Sequence, residues 1–409
     1  MVIQTVDLEY KQTELGKIPA DWRYSKFEDV MTGFSSGQTP SRAKPEYYKG
    51  DIPWITSGEL DYNIITDTLE KITPEAVRNT NLNMIPKGTF LFAITGLEAE
   101  GTRGSCAITG IPATTNQSCM ALYPKKGVLT TEYLFHFYVG FGKRLALKYC
   151  QGTKQQSYTG GTARFLPIIF PPTVEEQSAI VQVLSDTDAI IKSLDKLIEK
   201  KKNIKQGAMQ ELLTGKRHLS VFHEEWEIKK LGEIAAINMG QSPDSKYYNE
   251  NGEGIPLIQG KADLYNRRSI QRIWTTQITK TCDANDLIMT VRAPVGSVGI
   301  ATKHSCIGRG VCALKPKNVA GSYLYQLLIF NEKGWSRLEQ GSTFTSANSA
   351  QINNYELLVS TSREEQSTIA QVLSSMDTEI EYLEQKRDKC RQLKIGLMQQ
   401  LLTGRIRLK

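Results

Sequence analysis

The chain lacks what a membrane protein, a disulfide-stapled secreted domain and most enzymes need. No window holds eighteen consecutive apolar residues, and the opening stretch from Met1 to Lys11 has no apolar core of an export signal. This predicts a cytoplasmic protein with no membrane segment. The seven cysteines, at 106, 119, 150, 282, 306, 312 and 390, form no Cys-x-x-Cys pair. An odd, scattered set is expected as reduced buried thiols, not as a disulfide framework or a zinc site. The four histidines, His136, His218, His223 and His304, show no His-x-x-x-His spacing for a metal.

Catalytic signatures are missing too. An amino-methyltransferase needs Asn/Asp-Pro-Pro-aromatic to hold its target amine, and the single Pro-Pro lies in Phe170-Pro-Pro-Thr173. The glycines between Gly96 and Thr102 lack the lysine of a phosphate-binding P-loop. The Glu-x-Lys matches at Glu199 and Glu384 fall within helical patterns, where residues two apart do not face one site. No catalytic residue, metal ligand or bound cofactor is expected of this chain.

What the sequence does have, it has twice. Glu175 to Leu219 and Glu364 to Leu408 align without a gap, with roughly half the positions identical. In the first copy Ile180, Leu184, Thr187, Ile191, Leu194 and Ile198 recur at steps of four and three, as do Ile369, Leu373, Met376, Ile380 and Leu383 in the second. That spacing is the seam of a coiled coil. A further stripe, Val183, Ile190, Leu197 and Ile204, predicts a wider buried face on the first copy. Acidic pairs open both segments and Leu-Leu-Thr-Gly closes them, with Gly215 and Gly404 as left-handed caps. Each is expected to be one helix of about 60 Å, packed antiparallel on its duplicate.

The flanking regions repeat more loosely. Trp226 answers Trp22, Gly240-Gln-Ser-Pro243 answers Gly37-Gln-Thr-Pro40, and Ile255-Pro-Leu-Ile258 answers Ile52-Pro-Trp-Ile55. Asp286 to Val291 answers a strand at Thr89 to Ile94, Ser322 to Phe330 answers a helix at Thr131 to Leu147, and Gln340-Gly-Ser342 answers Gln151-Gly-Thr153. Gly33 to Ser41 reads as a loop, Gly96 to Gly110 as a glycine-rich hairpin and Arg164 to Pro172 as a strand. The expected architecture is two α/β (α+β) domains, at 1–173 and 216–362, separated by two long α-helices, at 174–215 and 363–409, with an internal pseudo-twofold repeat. Helices match closely between the copies and loops hardly at all, so if the loops read something, the halves read different things.

These residues also carry a family resemblance. Gly16-Lys-Ile-Pro-Ala-Asp-Trp22, Gly37-Gln-Thr-Pro-Ser41, Ile52-Pro-Trp-Ile55, Pro171-Pro172 followed by Glu175-Glu-Gln177, Leu212-Leu-Thr-Gly215 and Leu401-Leu-Thr-Gly404 stand in the order seen in specificity subunits of type I restriction-modification systems. The chain resembles that family over essentially its whole length. The second domain departs from the pattern by entering its helix through Ser360-Thr-Ser-Arg-Glu-Glu365 without Pro-Pro, which leaves the entry geometry open. The resemblance implies a non-catalytic subunit that binds double-stranded DNA at an asymmetric two-part site, one half per recognition domain, with the helices fixing the gap. It implies two modification subunits as partners, together with restriction subunits, and S-adenosylmethionine, ATP and magnesium held by those partners. Two other readings are a self-contained nuclease, against which the missing motifs count, and a coiled-coil scaffold without a DNA role.

DNA reading needs cations for phosphate and guanine, and amides for adenine. In the first domain the candidates are Gln38, Arg42, Lys44, Tyr47 and Tyr48 after the Gly-Gln-Thr-Pro turn, Arg103 in the hairpin, and Gln151, Lys154, Gln155, Gln156 and Tyr158. In the second they are Gln241, Lys246, Tyr247, Tyr248, Lys261, Arg267, Arg268, Arg292, Arg309, Thr343 and Thr345. Because Gln38 and Gln241 recur in both halves, they are expected in a turn or at a phosphate more than at a base. The net charge of +7 agrees with a polyanionic partner without identifying one.

Overall fold

The computed structural model describes residues 9–152, 156–217, 222, 225–335 and 346–408. The chain divides into two compact units, Met1–Leu194 with Lys386–Lys409, and Asp195–Gln385. Both dividing points fall inside the long helices, Val174–Leu212 and Arg363–Leu401, each of 39 residues. At 1.5 Å per residue such a helix is about 58 Å long.

In the first unit a five-stranded sheet runs in the order Met31–Ser36, Cys119–Pro124, Phe90–Ala93, Cys106–Thr109, Asn63–Ile65. Its neighbours are antiparallel except for the last pair. Phe90–Ala93 and Cys106–Thr109 are buried throughout, and the second of these is a strand inside the stretch read as a glycine-rich hairpin. Helix Thr131–Tyr149 covers the sheet, with the Tyr138 ring 5.6 Å from that of Phe90 and 5.2 Å from that of Phe92. A smaller sheet, Thr114–Thr115, Ile52–Ile55, Glu70–Ile72, has its own core around Trp54 and Ile72.

The second unit repeats this plan. Ala235–Met239, Val311–Pro316, Leu287–Thr290 and Val298–Ile300 follow one another in the larger sheet, and Ile255–Ile258 again pairs in parallel with the strand Ser305–Ile307. Two expectations need correction. Gly33–Ser36 is strand and not loop, because an edge position pairs on one side only and tolerates turn formers. Of Arg164 to Pro172 only Pro167–Phe170 is strand, since Thr159 accepts a hydrogen bond from the Thr162 amide and starts the short helix Gly160–Arg164.

The helices pair antiparallel within each unit. In the second, Lys202 meets Glu384 while Lys205, further along, meets Asp377. In the first, Glu176 meets Arg407 and Asp188 meets Lys394. Asp188 and Asp377 occupy one place in the repeat, and Lys394 and Lys205 another, so each unit holds the same ion pair, at 2.5 Å and 2.6 Å. The seam residues Ile180, Leu184, Leu194, Ile198, Ile369, Leu373, Ile380 and Leu383 are buried. The additional stripe is buried only in part at Val183, which packs on the first core, whereas Ile190, Leu197 and Ile204 are 49%, 38% and 46% exposed, because the antiparallel partner covers only the seam face.

Each core is closed by the start of one long helix and the end of the other. Ile180, Leu184, Leu401 and Leu402 join the first core, and Ile369, Leu373, Met209 and Leu212 the second. The Gln177 amide donates to the Val128 and Pro171 carbonyls, and its oxygen accepts from the Thr130 amide at the head of the covering helix. Gln366 does the same with Ser360 and Ala320. The missing Pro-Pro therefore leaves the entry unchanged, and Ser362 Oγ accepts from the Glu365 amide as Thr173 Oγ does from Glu176. Both closing glycines are left-handed, with φ of 65° at Gly215 and 69° at Gly404. A Cβ on Gly404 would lie 2.6 Å from Pro19, and one on Gly215 would lie 3.2 Å from Trp226.

Two predictions follow from these contacts. Arg407 is buried between Glu176 and Asp21, with Nη2 2.8 Å from Glu176 Oε2 and Nη1 2.8 Å from Asp21 Oδ1. Arg407→Ala leaves the buried Glu176 carboxylate without its counter-charge and is expected to cost about 3–5 kcal/mol, read by denaturant unfolding. His136 faces Ser185 Oγ at 3.2 Å, and burial pulls its pKa down to about 4. The folded state thus disfavours the imidazolium, so its contribution is complete above the unfolded pKa near 6.5 and disappears as pH falls through 4. His136→Gln should flatten the stability profile between those limits by up to about 3 kcal/mol in pH-dependent unfolding.

Candidate nucleic-acid interface

The polar loops are built on one turn that both units share. Gly37 sits so close to the next strand that a Cβ would be 1.7 Å from the Thr115 carbonyl oxygen, and at Gly240 it would be 2.2 Å from that of Gly308. Only glycine permits that approach. The next residue is tied by its backbone: the Gln38 amide donates to Thr115 O at 3.1 Å and the Gln241 amide to Ile307 O at 2.9 Å. Trp54 Nε1 donates to the Gln38 carbonyl, and the Thr279 hydroxyl donates to that of Gln241. The second tyrosine of each pair closes the turn, Tyr48 OH donating to Pro40 O at 2.6 Å and Tyr248 OH to Pro243 O at 3.1 Å. The turn role thus belongs to the backbone of both glutamines, whose side chains are exposed.

Around the first turn the structure gathers Gln38, Arg42, Lys44, Tyr47 and Tyr48. Arg42 lies 4.0 Å over the Tyr48 ring and holds both Glu70 oxygens at 2.6 and 2.7 Å. This pairing lowers the Glu70 pKa and commits the guanidinium fork to an acid. The Tyr47 ring is buried, and its hydroxyl accepts from Lys44 Nζ at 3.0 Å and Asn79 Nδ2 at 2.8 Å, which lowers the phenol pKa. Tyr47 is therefore a positioning group. Asn79 lies 32 residues further on in the chain and was not among the sequence candidates, because nothing local connects it to the turn.

The second group is Arg103, Gln151 and Gln156, gathered on one loop. Arg103 donates to the Leu97 and Glu98 carbonyls, the Glu98 carboxylate accepts from the Gln156 amide, and Gln151 bridges to Ser157. Tyr158 corrects the expectation of a surface contact: it is 3% exposed and its ring packs 5.9 Å from that of Phe92. Lys154, Gln155, Thr343 and Thr345 lie outside the described residues.

In the second unit Lys246 lies 5.0 Å over the Tyr247 ring and 3.3 Å from Asp244. Exposed Arg309 joins this turn through its backbone amide, which donates to Ser242 Oγ at 3.0 Å. Tyr248 OH also accepts from Gln259 Nε2, a residue with no motif to mark it. Lys261 is exposed at the start of a short turn, and exposed Arg292 bridges to Ser346. Arg267 and Arg268 are placed elsewhere, in a hollow of about 740 Å³ shared with Tyr325 and the helix carboxylates Asp377 and Glu381. Arg267 has φ 59° and holds Glu332, which also accepts from the Val298 amide at 2.8 Å. It is a loop bracket and not a free cation.

Among the described residues no three His, Cys, Asp or Glu side chains group as a metal site, and no helix is long and apolar enough to cross a membrane. All seven cysteines are free thiols.

The family model of the type I restriction modification DNA specificity domain matches the chain twice, over 19–205 and 223–391. A Methanocaldococcus jannaschii chain assigned as the specificity subunit of the type I restriction enzyme MjaX is 30% identical, over 98% of this chain and 97% of its own. The specificity subunit of the enzyme MjaIX from the same organism is 33% identical over 62% of this chain and 61% of its own. The fold is similar to the crystal structure of the S subunit from M. genitalium, with a TM-score of 0.62, 15% identity and coverage of 93% and 96%. A chain from a structure of a type I R-M system matches with a TM-score of 0.60, 21% identity and coverage of 95% and 99%. Two copies of the specificity domain, two long helices carrying one ion pair twice, and full-length kinship make this chain a member of the type I restriction-modification specificity subunits, the non-catalytic DNA-recognition components of those enzymes.

Proposed function

We propose that the chain reads an asymmetric two-part DNA site, one half through the loops of each unit, and that the paired helices set the gap between the halves. Two modification subunits dock along those helices and restriction subunits join them in the cytoplasm. S-adenosylmethionine, ATP and magnesium belong to these partners, and this chain's own residues bind and position DNA. The observation that carries the reading is the repeated Asp-Lys lock: one framework is used twice, yet it carries unlike loops. Docking on the helices is supported by the apolar stripe Ile190, Leu197 and Ile204, which the antiparallel partner leaves exposed at seven-residue spacing.

Footprinting and methylation sequencing of the assembled complex test the reading. The expected result is two defined blocks around an indifferent gap, and one uninterrupted block would overturn it. Removing one heptad from both helices shortens each by about 10.5 Å, or about three base pairs at 3.4 Å each. The gap should contract accordingly with both half-sites unchanged, and a constant gap would place the ruler elsewhere.

Two cations of the second unit should behave differently. Lys246→Ala should weaken binding to all sequences alike and reduce the salt slope by about one. Arg267→Ala should instead lower stability by about 2 kcal/mol in denaturant unfolding, since it strips Glu332 of charge-assisted hydrogen bonds.

A further inference from the structure

Beside the shared turn the first unit has a helix that the second lacks. Pro74–Asn79 follows the strand Glu70–Ile72, whereas the corresponding stretch of the second unit, between Trp274–Thr275 and Thr281–Cys282, holds no helix. With the turn this helix borders an open hollow of about 630 Å³ whose lining includes Gln38, Ser41, Lys44, Tyr47, Asn79 and Asn81. No carboxylate lines it.

Its side chains are committed unequally. Lys44 and the Asn79 amide nitrogen are bound to the Tyr47 hydroxyl, and Asn79 also donates to Glu75 at 3.3 Å. Gln38 and Asn81 are exposed, and among the described residues their side-chain carboxamides make no hydrogen bond. Asn81 has φ 51°, a conformation that asparagine adopts more readily than most residues, and its backbone amide donates to Arg78 O. A free carboxamide presents one donor and one acceptor side by side, the pattern that matches the N6 and N7 edge of adenine in the major groove.

We infer that this hollow is the base-reading pocket of the first unit, with Asn81 and Gln38 as the residues that specify adenine. Lys44, held by Tyr47 and Asn79, supplies a positive charge for the adjoining phosphate. Because the helix that completes the pocket is absent from the second unit, the pocket governs one half-site only. The inference rests on the two-part reading proposed above.

The test is sequencing of methylated sites made by the full chain with its modification subunits. Asn81→Gly keeps the left-handed backbone and removes the amide, and Asn81→Asp keeps the size but removes the donor. Each, like Gln38→Ala, should relax or change one position in one half-site and weaken binding to the original sequence on the order of 10- to 100-fold. The other half-site and the gap should be unchanged. Lys44→Ala should weaken all sequences alike. A wild-type complex with one uninterrupted site overturns the two-part reading, and the inference with it. A two-part wild-type site that both Asn81 variants and Gln38→Ala leave unaltered overturns the inference alone, and so does a loss of partner assembly or a lowered melting temperature in Asn81→Gly with no change of sequence.

Discussion

A lysine inside an apolar helix interface determines how the long helices meet. Lys205 is 9% exposed, and Asp377 holds its ammonium with both oxygens at 2.6 Å, while Lys394, which is half-buried, meets one oxygen of Asp188 at the equivalent place. Apolar seams tolerate sliding, because one leucine packs much like another. A buried ammonium does not, since a shift by one turn leaves it desolvated and unpaired. The pair thus selects one register among the many that the Ile and Leu seam would accept, as polar residues do at seam positions of coiled coils.

Register then fixes the domains. Asp377 also accepts from Gln326 of the covering helix, and Ser185 faces His136 at the matching position of the other covering helix. Gln177 and Gln366 tie the heads of those helices to the starts of the long ones. Each recognition domain is therefore fastened to the helix pair along a whole face and not hung from a linker. This explains why the long helices diverge least between the repeats: a change there alters seam, lock and domain clamp together.

Much of this was legible in the chain. The duplication, the seam spacing, the glycine caps and the repeat of the domains were all visible, because periodicity and turn residues report the backbone directly. What was hidden depends on contacts between distant residues. The stripe at Ile190, Leu197 and Ile204 looked like core, because hydrophobicity alone does not say whether a partner covers it. Tyr158 sat among polar neighbours yet fills the core beside Phe92, and Arg267 looked like a free cation until Glu332, 65 residues away, was found on it. Asn79 and Asn81 had no signal at all, since the turn they complete lies about forty residues earlier.

Pairing also changes the meaning of the positive charge. Arg42 and Arg267 each stand against a carboxylate, so two cations that seemed to be available for phosphate instead hold loops in shape. Exposed pairs of this kind add little to stability, but they fix a guanidinium or ammonium in one orientation beside an aromatic ring, as Arg42 over Tyr48 and Lys246 over Tyr247 show. Recognition loops built in this way give up non-specific attraction for geometry. Sequence discrimination then falls to shape and to side chains that no carboxylate holds.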